Sequence, residues 1–367
     1  MAAVFFYVSG HGFGHASRQI EIINALGAAR PDLTIVVRTS APSWLFERTA
    51  RVAVTLAPAE CDTGVVQIDS LRLDAAATVD RAQAFYRELP RRAADEARLL
   101  AQHDARLVIA DAPPLACAAA AVAGLPSIVV SNFTWDWIYE AFGTALDEAP
   151  DVLPAIRGAY RTAQRAWRLP MHGGFAPFAA VEDVPFVARH ATRDPREVRS
   201  RLGLPLEMPL VLSSFGGYGV SGLDVAALDC LDSYGVVITT RGEAAGVSVA
   251  PGVFVVDERV LYGSGVRYED LVKACDVVAT KPGYGIIAEC VANDTAMLYT
   301  SRGRFVEYDV LVAEMPRYLR CGFIDHGALF AGRWRAALDR ILAAPAPPAR
   351  PRTDGAAVVA NAISQMM

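Results

Sequence analysis

The sequence predicts an α/β protein in which two parallel-sheet domains face each other across a cleft. At 367 residues, the chain is longer than one hydrophobic core usually supports, which favours about two domains. In both halves, short β-branched runs alternate with longer amphipathic stretches, a pattern typical of a parallel sheet covered by helices on both faces. Between the halves, residues 171–195 lose this periodicity and collect glycine and proline, as linkers do.

In the first half, β-branched apolar runs predict strands and amphipathic stretches predict helices. The predicted strands are residues 4–8, 34–38, 52–56, 106–110 and 127–130. The predicted helices are residues 15–29, about 74–102, 114–123 and 135–165. Together these elements form the first predicted domain, residues 1–170.

The same alternation restarts after the linker and predicts a second domain, residues 196–343. The predicted strands are residues 209–213, 236–240, 253–256, 277–280 and 297–299. The predicted helices lie near residues 223–232, 268–274, 286–292, 308–319 and 328–342. A proline-rich crossover and a last helix, about 355–365, occupy the terminal segment 344–367.

Composition excludes several classes of protein. Hydrophobic residues make up 53% of the chain and charged residues 20%, which excludes a disordered chain. The formal net charge is -5, whereas a protein that binds nucleic-acid phosphates is usually basic, so no nucleic-acid partner is expected. The six cysteines form no C-x-x-C pair and lack a close histidine, which favours buried thiols in a reducing compartment.

Neither a targeting segment nor a transmembrane segment is predicted. The N-terminal sequence MAAVFFYVSGHGFGH lacks a basic region and reaches glycines and histidines after one short apolar run, which indicates a first strand. The most apolar stretch, residues 115–130, is interrupted by Gly124 and Pro126 and is too short to cross a bilayer. We therefore expect a cytoplasmic protein.

The loop after the first strand, SGHGFGH, carries two histidines among three glycines. Glycines let the backbone approach a ligand, and the helix that begins here favours an anion, so Gly12 and Gly14 are expected to contact the ligand. The spacing misses the dinucleotide fingerprint G-x-G-x-x-G. Because histidine titrates near neutral pH, His15 is the expected general base and His11 its rival. Alternatively, the glycines only shape a turn and the histidines cap backbone groups.

Two loops of the second domain are expected to hold a diphosphate. The loop SSFGGYG follows the first strand of that domain, and the loop KPGYG follows the strand at 277–280. Each offers backbone amides near the start of a helix, where an anion is stabilised. The residues expected at the diphosphate are Ser214, Gly216, Gly217, Lys281, Gly283 and Tyr284.

Glu289 is the expected contact to a ribose. A helix that starts at Gly283 places this carboxylate between one and two turns in, on the ligand side of the cleft, where it could accept from both ribose hydroxyls. The alternative is an ordinary exposed glutamate, with Lys281 a solvated cation. The three loops taken together favour the ribose contact.

These loops resemble those of glycosyltransferases with two Rossmann-like domains, the GT-B fold, and in particular the N-acetylglucosaminyltransferase of peptidoglycan synthesis. That family has a glycine-histidine loop, a Gly-Gly loop and a glycine-rich turn before a ribose-binding glutamate, here SGHGFGHASR, SSFGGYG and KPGYGIIAE. The segments SNFTWDWIYE and TSRGRFVEYDVLVAEMPRYL also look like the glycosyltransferase-like amino-terminal half of plant L-arabinokinases.

The resemblance implies a glycosyltransferase that takes a UDP-sugar as donor substrate, uses no other cofactor and acts on an unidentified acceptor. The peptidoglycan enzyme reads the sugar with glutamines, and this chain has charged residues in their place. The residues expected to face the sugar are Arg302, Arg304, Glu307 and Asp309. Asp111 and Asp136 are expected to contact the acceptor or to orient a histidine, although Asp136 is equally well explained as a structural carboxylate.

A metal-independent reaction is expected, because the chain has no Asp-x-Asp pair to clamp a metal-bound diphosphate. The negative charge of the leaving group would then be stabilised by helix N-termini, loop amides and Lys281 or Arg18. Two alternatives remain open. The GFGHASR segment also resembles nucleotide-sugar hydrolases, in which a histidine activates water, and a non-catalytic nucleotide-sugar sensor would share the same loops.

Overall fold

The computed structural model describes residues 2–68, 71–215, 222–240, 250–303 and 305–367. Gly216, Gly217 and Arg304, which were predicted to contact the donor, lie outside the described residues. Within the described chain, two separate parallel sheets are each flanked by helices, as the sequence predicts.

The first sheet has seven parallel strands in the order β3-β2-β1-β6-β7-β8-β9. A short antiparallel pair, β4 and β5, lies outside it. Its strands and those of the pair are β1 (Ala3–Val8), β2 (Thr34–Thr39), β3 (Thr55–Pro58), β4 (Val66–Gln67), β5 (Leu73–Asp74), β6 (Ala105–Asp111), β7 (Ser127–Phe133), β8 (Arg165–Gly173) and β9 (Val181–Asp183). The helices of this half are α1 (Phe13–Ala29), α2 (Ser43–Thr49), α3 (Ala75–Arg87), α4 (Leu89–Gln102), α5 (Pro114–Ala123), α6 (Trp135–Glu140) and α7 (Val152–Tyr160).

The second sheet has six parallel strands in the order β12-β11-β10-β13-β14-β15. Its strands are β10 (Leu210–Ser213), β11 (Gly235–Thr240), β12 (Val253–Asp257), β13 (Val277–Thr280), β14 (Ala296–Tyr299) and β15 (Cys321–Phe323). The helices of this half are α8 (Pro195–Arg201), α9 (Glu258–Gly263), α10 (Tyr268–Ala274), α11 (Tyr284–Asn293), α12 (Val306–Glu314), α13 (His326–Phe330), α14 (Arg335–Ala343) and α15 (Gly355–Met366).

Both faces of each sheet are buried, because helices cover both. Every residue of β1 is buried, and successive side chains enter two different hydrophobic clusters. Val4, Phe6 and Val8 pack on the α1 side, whereas Phe5 and Tyr7 pack on the opposite side. A strand buried on both faces is apolar at every position, without alternating polar side chains, and residues 4–8 show this pattern.

The C-terminal helix α15 returns to the first half of the chain and packs along α1. Arg30, at the end of α1, donates to the backbone carbonyl of Ser364 at 3.2 Å. The cluster on the α1 side of the first sheet therefore continues into the second half, and the two sheets share one apolar contact surface.

The sequence misplaced several element boundaries. The predicted helix at 135–165 is wrong as one helix: it is α6 (Trp135–Glu140), a 3₁₀ helix (Gly143–Glu148) and α7 (Val152–Tyr160), and Arg165 already begins β8. The first sheet then continues through the predicted linker to Asp183, because β8 tolerates Pro170 and a left-handed Met171 (φ 56°) next to an irregular register with β7. These two residues conceal the strand pattern, since proline and positive φ usually end a strand.

Two further helices differ from their predicted extents. The predicted helix at 74–102 is two helices, which meet at Glu88 just before Pro90. The predicted helix near 223–232 is wrong: among the described residues it is a single 3₁₀ turn, Val225–Ala227, in which the Asp224 side chain accepts from the backbone N–H of Ala226.

The thiols and the membrane prediction agree with the described structure. All six cysteines are free, and five of them are buried. Among the described residues, every helix is too short or too polar to cross a membrane.

Candidate active site

The carboxyl ends of both sheets open onto one cleft, and the two predicted glycine loops touch across it. Gly12 precedes α1 in a left-handed conformation (φ 76°), which a side chain would strain. Gly14 then lies against Gly285 at the start of α11, where a Cβ on Gly285 would meet the Cα of Gly14 at 3.1 Å. Glycine at position 285 allows this close approach of the two halves, whereas a Cβ on Gly14 would make only ordinary contact at 3.8 Å.

His15 forms a buried pair with Asp111, the last residue of β6. Nδ1 of His15 lies 3.0 Å from Oδ1 of Asp111, although 96 positions separate them in the sequence. Directly after Asp111, Ala112 takes a left-handed conformation (φ 72°), and the Tyr160 hydroxyl donates to its carbonyl at 2.6 Å. Because the Tyr160 hydroxyl holds the strained backbone of Ala112 in place, the direction of the preceding Asp111 side chain is fixed.

Arg18, one turn further along α1, binds the same carboxylate with two donors. Its Nε and Nη2 lie 2.5 Å from the two oxygens of Asp111. Burial alone would raise the pKa of Asp111, but the charge of Arg18 and the hydrogen bonds from Arg18 and His15 hold it well below its ordinary range. Arg18 was one candidate to stabilise the leaving group; the structure instead commits it to Asp111.

The carboxylate of Asp111 favours one tautomer of His15. Nη2 of Arg18 has two hydrogens: one points to Asp111 at 2.5 Å, and both the Ser131 hydroxyl at 3.1 Å and Nδ1 of His15 at 2.9 Å lie within reach of the other. The ionised Asp111 can only accept, so the Nδ1–H tautomer donates to it at 3.0 Å, whereas the other tautomer would set two acceptors against each other. This leaves the lone pair on Nε2, to which no described residue hydrogen-bonds.

His11, the rival base, has the opposite arrangement. Its ring packs against Trp135 at 5.6 Å and Phe305 at 6.4 Å between centroids. Nδ1 accepts from the backbone N–H of Val65 at 3.5 Å, so the neutral ring carries its proton on Nε2 and can donate there. Burial lowers the pKa of His11 well below its ordinary value, and neighbouring positive charges lower it further. His11 is thus a neutral donor, and the geometry favours His15 as the base.

Asp62 is a buried carboxylate beside these histidines that sequence reasoning missed. It accepts from the Ser9 hydroxyl at 3.0 Å and from the indole N–H of Trp135 at 2.8 Å. Ser9 in turn accepts from the backbone N–H of His11. Asp62 therefore connects the histidine loop to α6. The sequence feature that could have identified Asp62 is its position in a loop after β3, at the carboxyl edge of the sheet.

Burial raises the pKa of Asp62 to about 6, above its ordinary value of 3.8. The folded protein therefore holds this proton more tightly than the unfolded chain, and Asp62 lowers stability as pH rises through the window from about 4 to 6. An asparagine there can still accept from Trp135 and donate to Ser9. We expect Asp62→Asn to gain about 1–3 kcal/mol of stability relative to wild type between pH 4.5 and 7.5.

Urea unfolding of both proteins at the two pH values measures this gain. A difference between variant and wild type that does not change with pH would mean that Asp62 titrates as an ordinary surface carboxylate.

Asp136 lies apart from the histidines. It is buried in the first turn of α6, and its Oδ2 accepts from Nε of Arg157 at 3.1 Å. A carboxylate at a helix N-terminus that is paired with a neighbouring arginine stabilises the fold locally. Its other oxygen, Oδ1, is buried and has no hydrogen-bond partner among the described residues. The expected contact of Asp136 with a histidine is not found among the described residues, and its contact with the acceptor stays a prediction.

The second half of the chain forms the opposite wall of the cleft. There, the residues expected at the diphosphate surround the start of α11. Ser214 directly follows β10, and its hydroxyl lies 2.5 Å from that of Tyr268. Gly283 precedes the first turn of α11. Lys281 is near enough to His11 for its charge to lower the pKa of that ring. The Tyr284 side chain is buried and accepts from the backbone N–H of Val187, so Tyr284 can offer the cleft only its backbone.

Glu289 is buried in an ion pair with Arg189, a residue of the inter-domain segment that the sequence gave no reason to select. Nε of Arg189 donates to Oε1 of Glu289 at 2.6 Å, and a second carboxylate, Glu269, lies 3.6 Å from the same guanidinium. Burial raises the pKa of Glu289, and the charge of Arg189 opposes this shift. No described residue donates to the other oxygen, Oε2, so one acceptor of the carboxylate is unoccupied.

Arg302 and Glu307, expected at the sugar, are paired with each other. Nη1 of Arg302 lies 3.3 Å from Oε2 of Glu307, and its guanidinium covers the Phe305 ring at 4.1 Å. Oε1 of Glu307 accepts from Asn132 of the first half, so both oxygens of Glu307 are engaged. Asp309 is exposed on α12. Two residues apart on a helix, Glu307 and Asp309 point in different directions, and the structure does not bring Asp309 to the site.

Solved structures with the same architecture are glycosyltransferases. The calicheamicin glycosyltransferase CalG4 is 16% identical with a TM-score of 0.62, over 99% of this chain and 98% of that chain. The spinosyn rhamnosyltransferase SpnG, solved with thymidine diphosphate, is 14% identical with a TM-score of 0.62, over 100% and 96%. UGT2 of Phytolacca americana, solved with UDP-2-fluoro-glucose and pterostilbene, is 11% identical with a TM-score of 0.60, over 100% and 94%. The predicted GT-B fold is confirmed.

The L-arabinokinase of Arabidopsis thaliana is 29% identical over 345 residues, which are 91% of this chain and 32% of the plant protein. The chain thus spans about a third of the length of this curated relative. No protein-family profile matches the chain. The predicted resemblance to L-arabinokinases is confirmed.

Proposed function

We propose that the protein is a glycosyltransferase that transfers a sugar from a nucleoside diphosphate sugar, with a UDP-sugar as the donor, to an acceptor hydroxyl. The observation that carries this proposal is the His15–Asp111 pair, which leaves Nε2 of His15 as an unoccupied proton acceptor in the cleft. The start of α11, where the diphosphate is proposed to bind, meets the histidine loop at Gly14 and Gly285. The solved structures that share the fold, two of them with a nucleoside diphosphate or a nucleotide sugar bound, support the same reaction class.

In the proposed reaction, Nε2 of His15 takes the proton of the acceptor hydroxyl while its oxygen bonds to the anomeric carbon of the donor. The bond from that carbon to the β-phosphate oxygen breaks, and the nucleoside diphosphate leaves with the electron pair. Asp111 stabilises the imidazolium that forms and keeps its ring oriented. The first amides of α11, together with Lys281, would stabilise the charge of the leaving diphosphate.

A thermal-shift comparison of nucleotides tests the donor class. A ligand present at 100 times its dissociation constant adds about 2.7 kcal/mol to stability. We expect UDP to stabilise the protein where GDP, ADP and NAD do not. TDP lacks the 2′-hydroxyl that Glu289 is proposed to bind, so it should stabilise less than UDP. Stabilisation by GDP or ADP alone would refute the UDP donor.

The next experiment uses the nucleotide sugars of whichever nucleotide stabilises the protein. Their turnover, measured with and without candidate acceptors, separates transfer from hydrolysis. A transferase releases UDP only at a trace rate until an acceptor hydroxyl is supplied, because no other nucleophile is positioned at the anomeric carbon. Full turnover in water alone would identify a nucleotide-sugar hydrolase, and tight binding without any turnover would identify a sensor.

We expect transfer to persist at full rate in excess EDTA. Helix amides and cationic side chains replace a metal ion at the diphosphate in this proposal. Within the described residues, no three His, Cys, Asp or Glu side chains come together as a metal site would require. The measurement is the initial rate before and after chelation. Loss of activity that is restored by a divalent cation would show that the diphosphate is metal-bound.

A further inference from the structure

Arg18 is a buried arginine whose side chain connects the catalytic pair to the neighbouring strand. Only 4% of its surface is exposed. Besides its two bonds to Asp111, Nη1 donates to Oδ1 of Asn132 at 2.6 Å, and Nη2 donates to the Ser131 hydroxyl. A buried charge that is bound by this many partners has one allowed position, since any rotation would leave a donor unpaired.

Asn132 is held between a group that can only donate and a group that can only accept. Its Oδ1 accepts from Arg18, and its Nδ2 donates to Oε1 of Glu307 at 2.9 Å. A flipped amide would point its NH₂ at the guanidinium and its oxygen at the carboxylate, which is unfavourable on both sides. The orientation of this amide is therefore fixed from both ends, by Arg18 and by Glu307, and Glu307 belongs to the opposite wall of the cleft.

The contacts of Arg18 also reach the opposite wall directly. Its guanidinium lies over the ring of Tyr284 in α11, 5.0 Å from the centroid. The same turn of α11 contacts the histidine loop where Gly285 meets Gly14. A continuous chain of polar contacts thus runs from Glu307 through Asn132, Arg18 and Asp111 to His15.

We propose that Arg18 and Asn132 are positioning residues that make the orientation of His15 depend on contact between the two walls of the cleft. When Glu307 holds Asn132, Asn132 and Arg18 fix the carboxylate of Asp111, and Asp111 keeps the proton of His15 on Nδ1. The inference rests on the proposed function for its catalytic consequence, but the orientation of His15 can be measured without turnover.

The structural arm of the test reads the His15 ring directly. Imidazole nitrogen shifts from ¹⁵N NMR, assigned with His15→Ala, report which nitrogen carries the proton. We expect the Nδ1–H form in wild type and a mixture of the two tautomers in Asn132→Ala and in Arg18→Lys. An unchanged Nδ1–H form in both folded variants would overturn the proposal, whether or not the protein proves to be a transferase.

The kinetic arm uses a matched control elsewhere in the first half. Arg38 also forms a two-donor pair, with Glu96, which is partly buried and has no proposed role. Lysine keeps the charge at either position but cannot supply the two-donor geometry. We expect Arg18→Lys and Asn132→Ala to lower kcat roughly 10- to 100-fold with nearly unchanged donor affinity, the loss expected for one bond to a charged group. Arg38→Lys should leave kcat unchanged.

Epistasis with the base separates positioning from a general structural defect. In a His15→Ala background there is no ring to orient, so Asn132→Ala should cause no further loss of the residual rate. A full additional loss in that background would overturn the proposal, because the effect of Asn132 would then not act through His15. If wild type turns over no nucleotide sugar, the proposed function fails, and the tautomer measurement alone decides this inference.

Discussion

Replacing His15 with alanine is expected to lower turnover roughly 100- to 10,000-fold while donor affinity stays nearly unchanged. The loss has this size because Nε2 of His15 would no longer take the acceptor proton in the transition state. Donor binding should survive, since the proposed diphosphate and ribose contacts of the second half lie on the opposite wall. Initial rates and UDP titration by calorimetry, on protein whose melting temperature has been compared with wild type, provide the measurement.

His11→Ala is the matched control for this prediction. His11 belongs to the same loop, but its Nδ1 is already occupied by the Val65 amide, and its lowered pKa keeps it neutral. We expect a smaller loss of rate, together with weaker donor binding if its Nε2–H meets the diphosphate. If His11→Ala abolishes turnover with intact donor affinity and His15→Ala does not, the assignment of the base is wrong.

Glu289→Gln is expected to weaken UDP binding roughly 10- to 100-fold, the factor that corresponds to one hydrogen bond to a charged group. The amide replaces one acceptor oxygen by a donor NH₂ and removes the charge. Glutamine is preferable to alanine here, because alanine would leave the buried Arg189 with Glu269 as its remaining carboxylate and could unfold the protein. The measurement is the dissociation constant of UDP and of an analogue that lacks both ribose hydroxyls.

Glu269→Gln is the control, since it removes the other carboxylate from the same arginine. Wild type and this control should both bind UDP more tightly than the analogue, whereas Glu289→Gln should bind the two about equally. A Glu289→Gln protein that retains the wild-type preference would show that Glu289 serves only to neutralise Arg189, and that the ribose is bound elsewhere.

Much of the fold could be predicted from the sequence, because the required information is local. Runs such as residues 4–8 are apolar at every position, as a strand buried on both faces must be, and the strand at 277–280 was predicted with its observed ends. The predictions failed where a local signal misleads. Pro170 and a left-handed Met171 conceal β8, and residues 223–232, which were predicted as a helix, form only a short 3₁₀ turn that Asp224 caps.

The sequence by itself determined that His15 and Asp111 each follow a parallel strand, and therefore that both stand at the same edge of a sheet. Which charges pair at that edge was decided only by the tertiary structure. Arg18 and Asp111 are separated by 93 positions, and Arg189 and Glu289 by 100. Periodicity of two or 3.6 residues places a side chain on a face but carries no information about its partner on another element. The partner is determined by the strand order and by the contact between the two halves. Each charge requires a partner only because that contact buries it.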